Sequence, residues 1–218
     1  MYIGQWKKDK ADGKGKIIHP NGAYYEGDFV NAQAEGKGIY VQSNGCTYIG
    51  DWKKDQQDGL GKEIWPKRFE YEGEYNNGEK NGLGKLTLSD GSCYKGLFCN
   101  NQINGYGKYT WKNHSLYLGQ FKNNKMEGEG TFKFPDGGCY KGNFENNEQN
   151  GFGEFTWTNG KIYRGLWKNG KRNGPGEVYC ALLKEWKKGL WNKGKLMKRK
   201  NKTIFLIKVL FNINTYNN

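Results

Sequence analysis

The chain has few of the residues that build metal sites, disulfide frameworks or thick hydrophobic cores. It contains only two histidines, His19 and His114, and five cysteines without a Cys-x-x-Cys pair. Metal sites need several closely spaced His, Cys or acidic ligands, so we expect no metal site and reduced thiols in a cytoplasmic protein. Hydrophobic residues make up only 35% of the chain, which excludes a thick aliphatic core.

Long apolar runs are also missing. The apolar run at residues 204–213 is interrupted by Lys208, and it is shorter than the roughly 20 residues that a transmembrane helix needs. No secretory signal precedes Tyr2, which favours a cytoplasmic location.

Glycine and aromatic residues are abundant instead, with 34 Gly, 8 Trp, 15 Tyr and 11 Phe. They recur in eight copies of a 23-residue unit, without insertion or deletion, starting at residues 2, 25, 48, 71, 94, 117, 140 and 163. Each copy contains a Tyr, a Gly two residues later, an aromatic residue after two more, and then a Gly-x-Gly pair. A strict period of this length predicts a stack of similar units, each in contact with its neighbours.

Alternation within each copy predicts a β-hairpin. Tyr, Gly and the aromatic residue occupy alternate positions and therefore point to one face of the first strand. Asn and Gly in the polar stretch that follows favour a tight or four- to five-residue turn. The second strand is expected to start at the Gly-x-Gly pair, whose glycines leave space for the rings of the adjacent strand. In the fifth and seventh copies these structural positions are Tyr94, Gly96, Phe98, Gly105, Gly107, Tyr140, Gly142, Phe144, Gly151 and Gly153.

We therefore predict an all-β fold, an elongated single-layer antiparallel meander, or solenoid-like rod, of eight hairpins over residues 2–185. Residues 186–196 are expected to form a degenerate ninth repeat that caps the last hairpin. Its opening strand is marked either by Trp186 or by Gly189 and Trp191, which are displaced by one residue. The open sheet edges favour self-association as a homodimer.

The C-terminal residues 197–218 form a basic and apolar tail without the repeat pattern. The whole chain has a net charge of +13. Much of it comes from the segment that starts at Lys184, which has ten Lys or Arg and one acid, Glu185. Each lysine near an anionic lipid surface contributes about 1 kcal/mol. The tail is thus a candidate lipid anchor, a segment that docks on a protein, or an extension without function. The candidate lipid-binding residues are Lys193, Lys195, Lys198, Arg199, Lys200 and Lys202.

No catalytic constellation is present in the sequence. The Gly-x-Gly pairs lie in strands and open no helix, which excludes phosphate-binding loops. We expect no cofactor, and no nucleic-acid partner, since the periodic rings are assigned to packing rather than to base stacking. Rings at the ends of the second strands could form an apolar stripe, which is either a protein-binding groove or plain packing. The stripe residues are Trp65, Trp111, Phe134 and Trp157.

The pattern Tyr-x-Gly-x-Trp/Phe, Gly-x-Gly and Asp/Asn-Gly resembles the MORN (membrane occupation and recognition nexus) repeat. Copies 71–93 and 140–162 match it closely, and the resemblance covers about 184 of the 218 residues. The Asp/Asn-Gly turn is lost at Lys67-Arg68, Asn113-His114 and Leu182-Leu183, which leaves the loop geometry open there. The resemblance implies single-layer sheets of hairpins with a binding or scaffolding role.

The resulting functional prediction is a non-enzymatic scaffold with protein partners, linked to cytoskeletal, ciliary or membrane-proximal structures. One alternative is a peripheral phosphoinositide-binding protein that uses the basic tail on an anionic membrane surface. Another is a regulatory fragment of a phosphoinositide kinase, which the abrupt start of the repeats at Tyr2 suggests.

Overall fold

A computed structural model describes residues 1–199, and this part of the chain is built from β-strands joined by turns. The predictions for Lys200, Lys202 and the rest of the tail lie outside the described residues. No helix within residues 1–199 has the length and apolar character that crossing a membrane requires. The strands are β1 (Tyr2–Lys7), β2 (Lys10–Ile18), β3 (Tyr24–Val30), β4 (Gln33–Val41), β5 (Thr47–Lys53), β6 (Gln56–Trp65), β7 (Phe69–Asn76), β8 (Glu79–Leu88), β9 (Cys93–Cys99), β10 (Gln102–Thr110), β11 (Leu116–Lys122), β12 (Lys125–Lys133), β13 (Cys139–Glu145), β14 (Glu148–Thr156), β15 (Ile162–Lys168), β16 (Lys171–Cys180), β17 (Glu185–Asn192) and β18 (Lys195–Arg199).

The strands fall into two compact units. Of the described residues, unit one contains Met1–Lys112 and Phe121–Asn124, and unit two contains Asn113–Gln120 and residues 125–199. In unit one consecutive strands pair antiparallel, from the pair β1–β2 to the pair β9–β10. In unit two the strands β12 to β18 do the same. The predicted all-β antiparallel meander of hairpins is therefore confirmed within each unit.

Two-residue turns close the hairpins within the repeats. Asn100 and Asn101 illustrate them, with φ of 48° and 65°, which is the conformation of a type I′ turn and suits the twist of the flanking strands. The corresponding turn one repeat later, at Asn123 and Asn124, also contacts the repeat before it. The Asn124 N–H donates to the Ile103 carbonyl at 2.9 Å, and the Ile103 N–H donates to Asn124 Oδ1 at 2.8 Å. Successive repeats are thus joined at the turns as well as through strand pairing.

The second strand of each hairpin starts before the Gly-x-Gly pair, so the predicted start at the first glycine was wrong. β10 begins at Gln102, three residues before Gly105. The register with β9 shifts between Ile103 and Gly107, and Gly105 lies inside this bulge with φ of +84°. The first glycine therefore supplies a positive φ that few other residues adopt.

The second glycine of each pair faces a tyrosine ring. Gly96 and Gly107 are opposite each other in the ladder, and a Cβ on Gly107 would overlap the ring of Tyr94. The tyrosine hydroxyl donates to the Leu97 carbonyl at 3.0 Å. We call this side of the sheet the tyrosine face. Edge-to-face ring pairs connect consecutive repeats along it, for example Tyr94 with Phe98 at 5.3 Å and with Phe121 at 5.2 Å.

The three loops that lack Asp/Asn-Gly keep a positive φ on another residue. His114 has φ of 66° and Lys67 has φ of 60°, while Lys184 has φ of 51°. The Asn113 side chain still accepts the Ser115 N–H at 3.0 Å, as Asp90 accepts the Ser92 N–H at 2.8 Å in the preceding loop. In the Asn113-His114 loop this side-chain hydrogen bond therefore holds the turn although glycine is absent.

The last hairpin follows the interpretation in which Gly189 and Trp191, displaced by one residue, mark its first strand. In β17, Gly189 pairs with Gly176 and Trp191 pairs with Gly174. Trp191 is buried and contacts Tyr163 edge-to-face at 5.0 Å. Lys187 occupies the register position that tyrosine holds in the other repeats, so this hairpin extends the glycine ladder without its own tyrosine.

Candidate protein-interaction surface

The side of unit one opposite the tyrosines carries a long open groove, which we call the groove face. It has a volume of about 1420 Å³ and follows the paired glycines from β1 to β9. Side chains that precede or follow the glycines form its walls, because they alternate with the tyrosine-face residues along each strand. The aliphatic members of the walls are Ile3, Ile39, Ile49, Leu60 and Leu83.

These aliphatic side chains are exposed although they lie in regular strands. Leu60 and Leu83 are 63% and 62% exposed, and each lies between the two glycines of a Gly-x-Gly pair. Ile39 and Ile49 are opposite each other on β4 and β5. Scattered apolar residues on a surface need no explanation, but a contiguous set in a groove is typical of an interaction site.

Ion pairs line part of the same walls. Lys16 pairs with Glu26 at 2.9 Å and Lys14 pairs with Asp28 at 2.6 Å. Asp28 Oδ2 also accepts the Lys37 N–H at 3.2 Å, on the other side of the hairpin bulge. The hydrogen bond from Lys14 lowers the pKa of Asp28, assisted by the bond from Lys37 and opposed by desolvation. Asp28 therefore fixes the bulge, and both acids balance the lysines beside them.

The predicted stripe residues are half-buried on both units, and each contacts other rings. In unit two, Phe134 contacts Phe155 at 5.4 Å, and Phe155 contacts Trp157 at 4.5 Å. In unit one, Trp65 stacks on Phe69 at 5.8 Å, and Trp111 contacts Tyr109 at 4.5 Å. Each stripe ring thus belongs to a local aromatic cluster, and its role in binding stays a prediction.

The predicted lipid-binding residues lie at the last hairpin. Lys193, Lys195 and Lys198 are exposed. Arg199 ends β18. The Lys193 N–H donates to Asn173 Oδ1 at 3.4 Å, so its backbone is held against the preceding repeat. The structure brings these three lysines to one hairpin, and their affinity for lipid stays a prediction.

An ion pair on the tyrosine face was missed by the sequence reasoning. Glu63 and Lys80 form a salt bridge, and each side chain is 15% exposed. The Glu63 carboxylate accepts the Trp65 Nε1–H at 2.6 Å and the Tyr75 hydroxyl at 3.3 Å. Lys80 Nζ lies 5.1 Å from the ring centre of Tyr71. The sequence did contain a signal of this pair. The equivalent positions of the next repeat hold the apolar residues Leu86 and Ile103, so two charged residues at these positions are unusual.

The groove face was missed for a different reason. The sequence reasoning gave no role to the middle position of the Gly-x-Gly pair, which Leu60, Leu83 and Tyr106 occupy. Aliphatic residues at positions that a strand turns toward water are the signal that would have identified it. Residues 1–199 hold no group of three or more His, Cys, Asp or Glu that could bind a metal ion.

Among the solved structures that the chain is similar to are two TCP domains. One is a mutant of the TCP10 domain of Danio rerio CPAP, with 12% identity over 87% of this chain and 89% of that chain, and a TM-score of 0.48. The other is the SAS-4 (dCPAP) TCP domain of Drosophila melanogaster in complex with a proline-rich motif of Ana2 (dSTIL), with 12% identity over 83% and 90% of the two chains and a TM-score of 0.44.

The repeats themselves match a family of known proteins. The family model for the MORN repeat matches eight consecutive segments, at residues 2–24, 25–47, 48–68, 71–93, 94–116, 117–139, 140–162 and 163–181. Their first residues follow the 23-residue period, and each segment carries the hairpin with its tyrosine and paired glycines. The chain therefore belongs to the MORN repeat family.

Proposed function

We propose that this protein is a non-enzymatic scaffold that binds an extended segment of a partner protein along the groove face of unit one. The observation that carries the proposal is the exposure of Ile39, Ile49, Leu60 and Leu83 in one groove. Burial of a large aliphatic side chain stabilises a complex by about 1.5–3 kcal/mol. Several such side chains in one groove provide enough apolar surface for a specific complex.

The dimensions of the groove suit an extended chain. It crosses β1 to β9, and adjacent strands are about 4.8 Å apart, so it is about 40 Å long. An extended peptide spans up to about 3.3–3.6 Å per residue, and about eleven residues would fill the groove. Because the walls are set by strand positions, little of the surface has to be ordered on binding, which reduces the entropic cost.

Cellular structures of the kind that MORN proteins organise are the expected setting. We propose a role in cytoskeletal, ciliary or membrane-proximal assemblies, in which repeated weak contacts add through avidity. The membrane alternative is favoured by a separate observation, the three exposed lysines of the last hairpin, Lys193, Lys195 and Lys198. It predicts binding to anionic vesicles that weakens steeply with added salt.

Selection from a library of random twelve-residue peptides, displayed against the full chain, tests the groove. A Leu60→Asp/Leu83→Asp variant places two charges in the groove and should lose most of the selected peptides. A Phe152→Asp variant is the matched control, since Phe152 holds the same repeat position in unit two and is also exposed. It should retain them.

Selected peptides that bind all three proteins equally would contradict the groove proposal, as would a selection without any enriched peptide. Co-sedimentation with phosphatidylserine vesicles tests the alternative. Salt-sensitive binding that is lost when Lys193, Lys195 and Lys198 are replaced by Gln would instead favour the lipid-binding function.

A further inference from the structure

Three lysines follow one another across adjacent strands on the groove face. Lys85 on β8 is opposite Lys95 on β9, and Lys95 is opposite Lys108 on β10. All three are exposed. Like charges directly opposite each other destabilise a sheet. The arrangement therefore has an electrostatic cost that the fold of the isolated chain does not require.

Elsewhere in the same row, charged residues that are opposite each other have opposite signs. In unit two, Lys141 is opposite Glu154, Glu154 is opposite Arg164, and Arg164 is opposite Glu177. Glu154 and Arg164 form an ion pair. In unit one, Lys16 and Glu26 are opposite each other and paired at 2.9 Å. Opposite charges are thus the rule along these rows, and the three consecutive lysines depart from it.

Few acids balance this lysine row. Glu72 on β7 is opposite Lys85, but it is equally opposite Lys62 on β6. Glu74 accepts the Leu83 N–H at 2.9 Å. Within residues 1–199, neither Lys85, Lys95 nor Lys108 has a carboxylate within salt-bridge distance. The row therefore presents net positive charge to solvent.

An apolar row runs parallel to the lysines on the other side of the paired glycines. Leu83 is opposite Leu97, and Tyr106 follows between the glycines of the next strand. The three side chains are 62%, 39% and 56% exposed. Along each strand, Leu83 and Lys85, Leu97 and Lys95, and Tyr106 and Lys108 are two residues apart, so they share one face about 7 Å from each other.

Building on the proposed function, we propose that the segment held at β8, β9 and β10 is an acidic–apolar peptide, with carboxylates on the lysine row and aliphatic or aromatic side chains on the Leu83–Leu97–Tyr106 row. Successive side chains of an extended peptide point to opposite sides. A peptide that runs along the glycines would therefore direct alternate residues to the two rows. The sequence it requires alternates Asp or Glu with Leu, Ile or Phe.

Both rows together favour a peptide over other anions. A phosphate backbone or a lipid headgroup would satisfy the lysines, but it would leave the parallel row of Leu83, Leu97 and Tyr106 without a partner. Charge complementarity also provides specificity, because a basic peptide would meet three lysines of the same sign.

The probe for the test is a fluorescein-labelled peptide of alternating Asp/Glu and Leu/Ile, eight residues long, with fluorescence anisotropy as the readout. We expect the full chain to bind it, and to bind a version with Lys in place of each acid at least about tenfold more weakly. Lys95→Glu should weaken binding of the acidic peptide about tenfold, since it reverses the central charge. Lys141→Glu is the matched control at the same repeat position in unit two and should leave binding unchanged.

Thermal unfolding of the same variants provides a second readout, which separates the loss of a binding contact from misfolding. Lys95→Glu removes two like-charge neighbours, so it should raise the unfolding temperature while it weakens peptide binding. A fall in both quantities would point to misfolding rather than to a binding site and would overturn the proposal.

The outcomes separate this inference from the proposed function. If the acidic peptide binds wild type and Lys95→Glu equally, or does not bind, the inference fails. If neutral apolar peptides bind wild type and the Leu83→Asp substitution abolishes this binding, the groove proposal remains supported although the inference fails. Salt-sensitive binding of phosphatidylserine vesicles or single-stranded DNA through Lys95, without binding of the acidic peptide, would also overturn the inference.

Discussion

The ring of Tyr94 lies against the backbone of Gly107, on the strand paired with its own. A Cβ on Gly107 would overlap the ring carbons and the hydroxyl of this tyrosine, which is fully buried. Its hydroxyl is held by the Leu97 carbonyl, so the ring has no space to retreat. The contact recurs in each of the other repeats from Tyr2 to Tyr163.

Gly107→Val is expected to destabilise the protein by about 3 kcal/mol or more, because the added side chain must displace a fully buried ring. Lys112→Ala, an exposed change in the following turn, should be nearly silent. Urea denaturation followed by tryptophan fluorescence compares the two variants with wild type. Equal midpoints would contradict the ring-on-glycine contact.

The two glycines of one Gly-x-Gly pair should tolerate different substitutions. Gly151 has φ of +80°, and a Cβ there would lie 3.4 Å from its nearest neighbour, Asn143 Cβ. Asn adopts positive φ more readily than other residues, so Gly151→Asn should cost less than about 1 kcal/mol. Gly153→Asn would place its Cβ into the Tyr140 ring and should cost several times more. The reverse order, measured by thermal denaturation, would show that the bulge is assigned to the wrong glycine.

The Glu63–Lys80 pair should be replaceable by the residues of a neighbouring repeat, although neither member should be replaceable alone. Glu63→Leu or Lys80→Ile leaves the other charge largely buried among rings and should cost about 1–3 kcal/mol. The double variant reproduces Leu86 and Ile103 and should recover most of the lost stability. A double-mutant cycle in urea measures the coupling, and strictly additive losses would contradict an interaction between the two charges.

Alkaline pH should unfold the protein through its tyrosines. Burial raises the pKa of Tyr94 to about 12, and burial raises the pKa of Tyr163 to about 12 in spite of the nearby Arg172. An unfolded tyrosine titrates near about 10. Between pH 10 and 12 the unfolded chain therefore loses these protons and the folded chain keeps them, so the free energy of unfolding falls as pH rises. Stability from this source is complete below pH 10.

Circular dichroism and tyrosinate absorbance, recorded together during the alkaline titration, check this prediction. We expect both signals to change in one transition, since buried tyrosines ionise as their hairpins open. Ionisation of most tyrosines near pH 10 with the sheet signal intact would contradict the burial of the ladder.

Much of the fold follows from the sequence because one contact is repeated. The spacing of Tyr94, Gly96 and Phe98 defines a strand face, and the 23-residue period then places every other strand. The start of the second strand could not be predicted in this way, because Gly105 and Gly107 look alike in sequence. Their difference, a positive φ at one and a ring contact at the other, arises from a bulge that forms only when β9 and β10 pair.

The candidate site was less predictable than the fold. Leu83 and Lys95 lie between repeat-defining residues but do not define the repeat themselves, and their role depends on which side chains lie opposite them on neighbouring strands. The register of β8 and β9 is set by the pairing of Gly84 with Gly96. The lysine row can therefore be identified only when the pairing of the strands is known. The terminal hairpin shows the same limit, since the displacement of Gly189 was detectable but its pairing with Gly176 required the structure.

Methyl NMR of the full chain during titration with a selected groove peptide is the most direct test of the central claim. Leu60, Leu83 and Leu97 report on the groove face, Leu86 on the tyrosine face, and Leu196 on the last hairpin. Binding along the groove predicts saturable shifts at the first three methyl groups and unchanged signals at Leu86 and Leu196. Shifts confined to Leu196, or none at Leu83 and Leu97 when the peptide is bound, would contradict it.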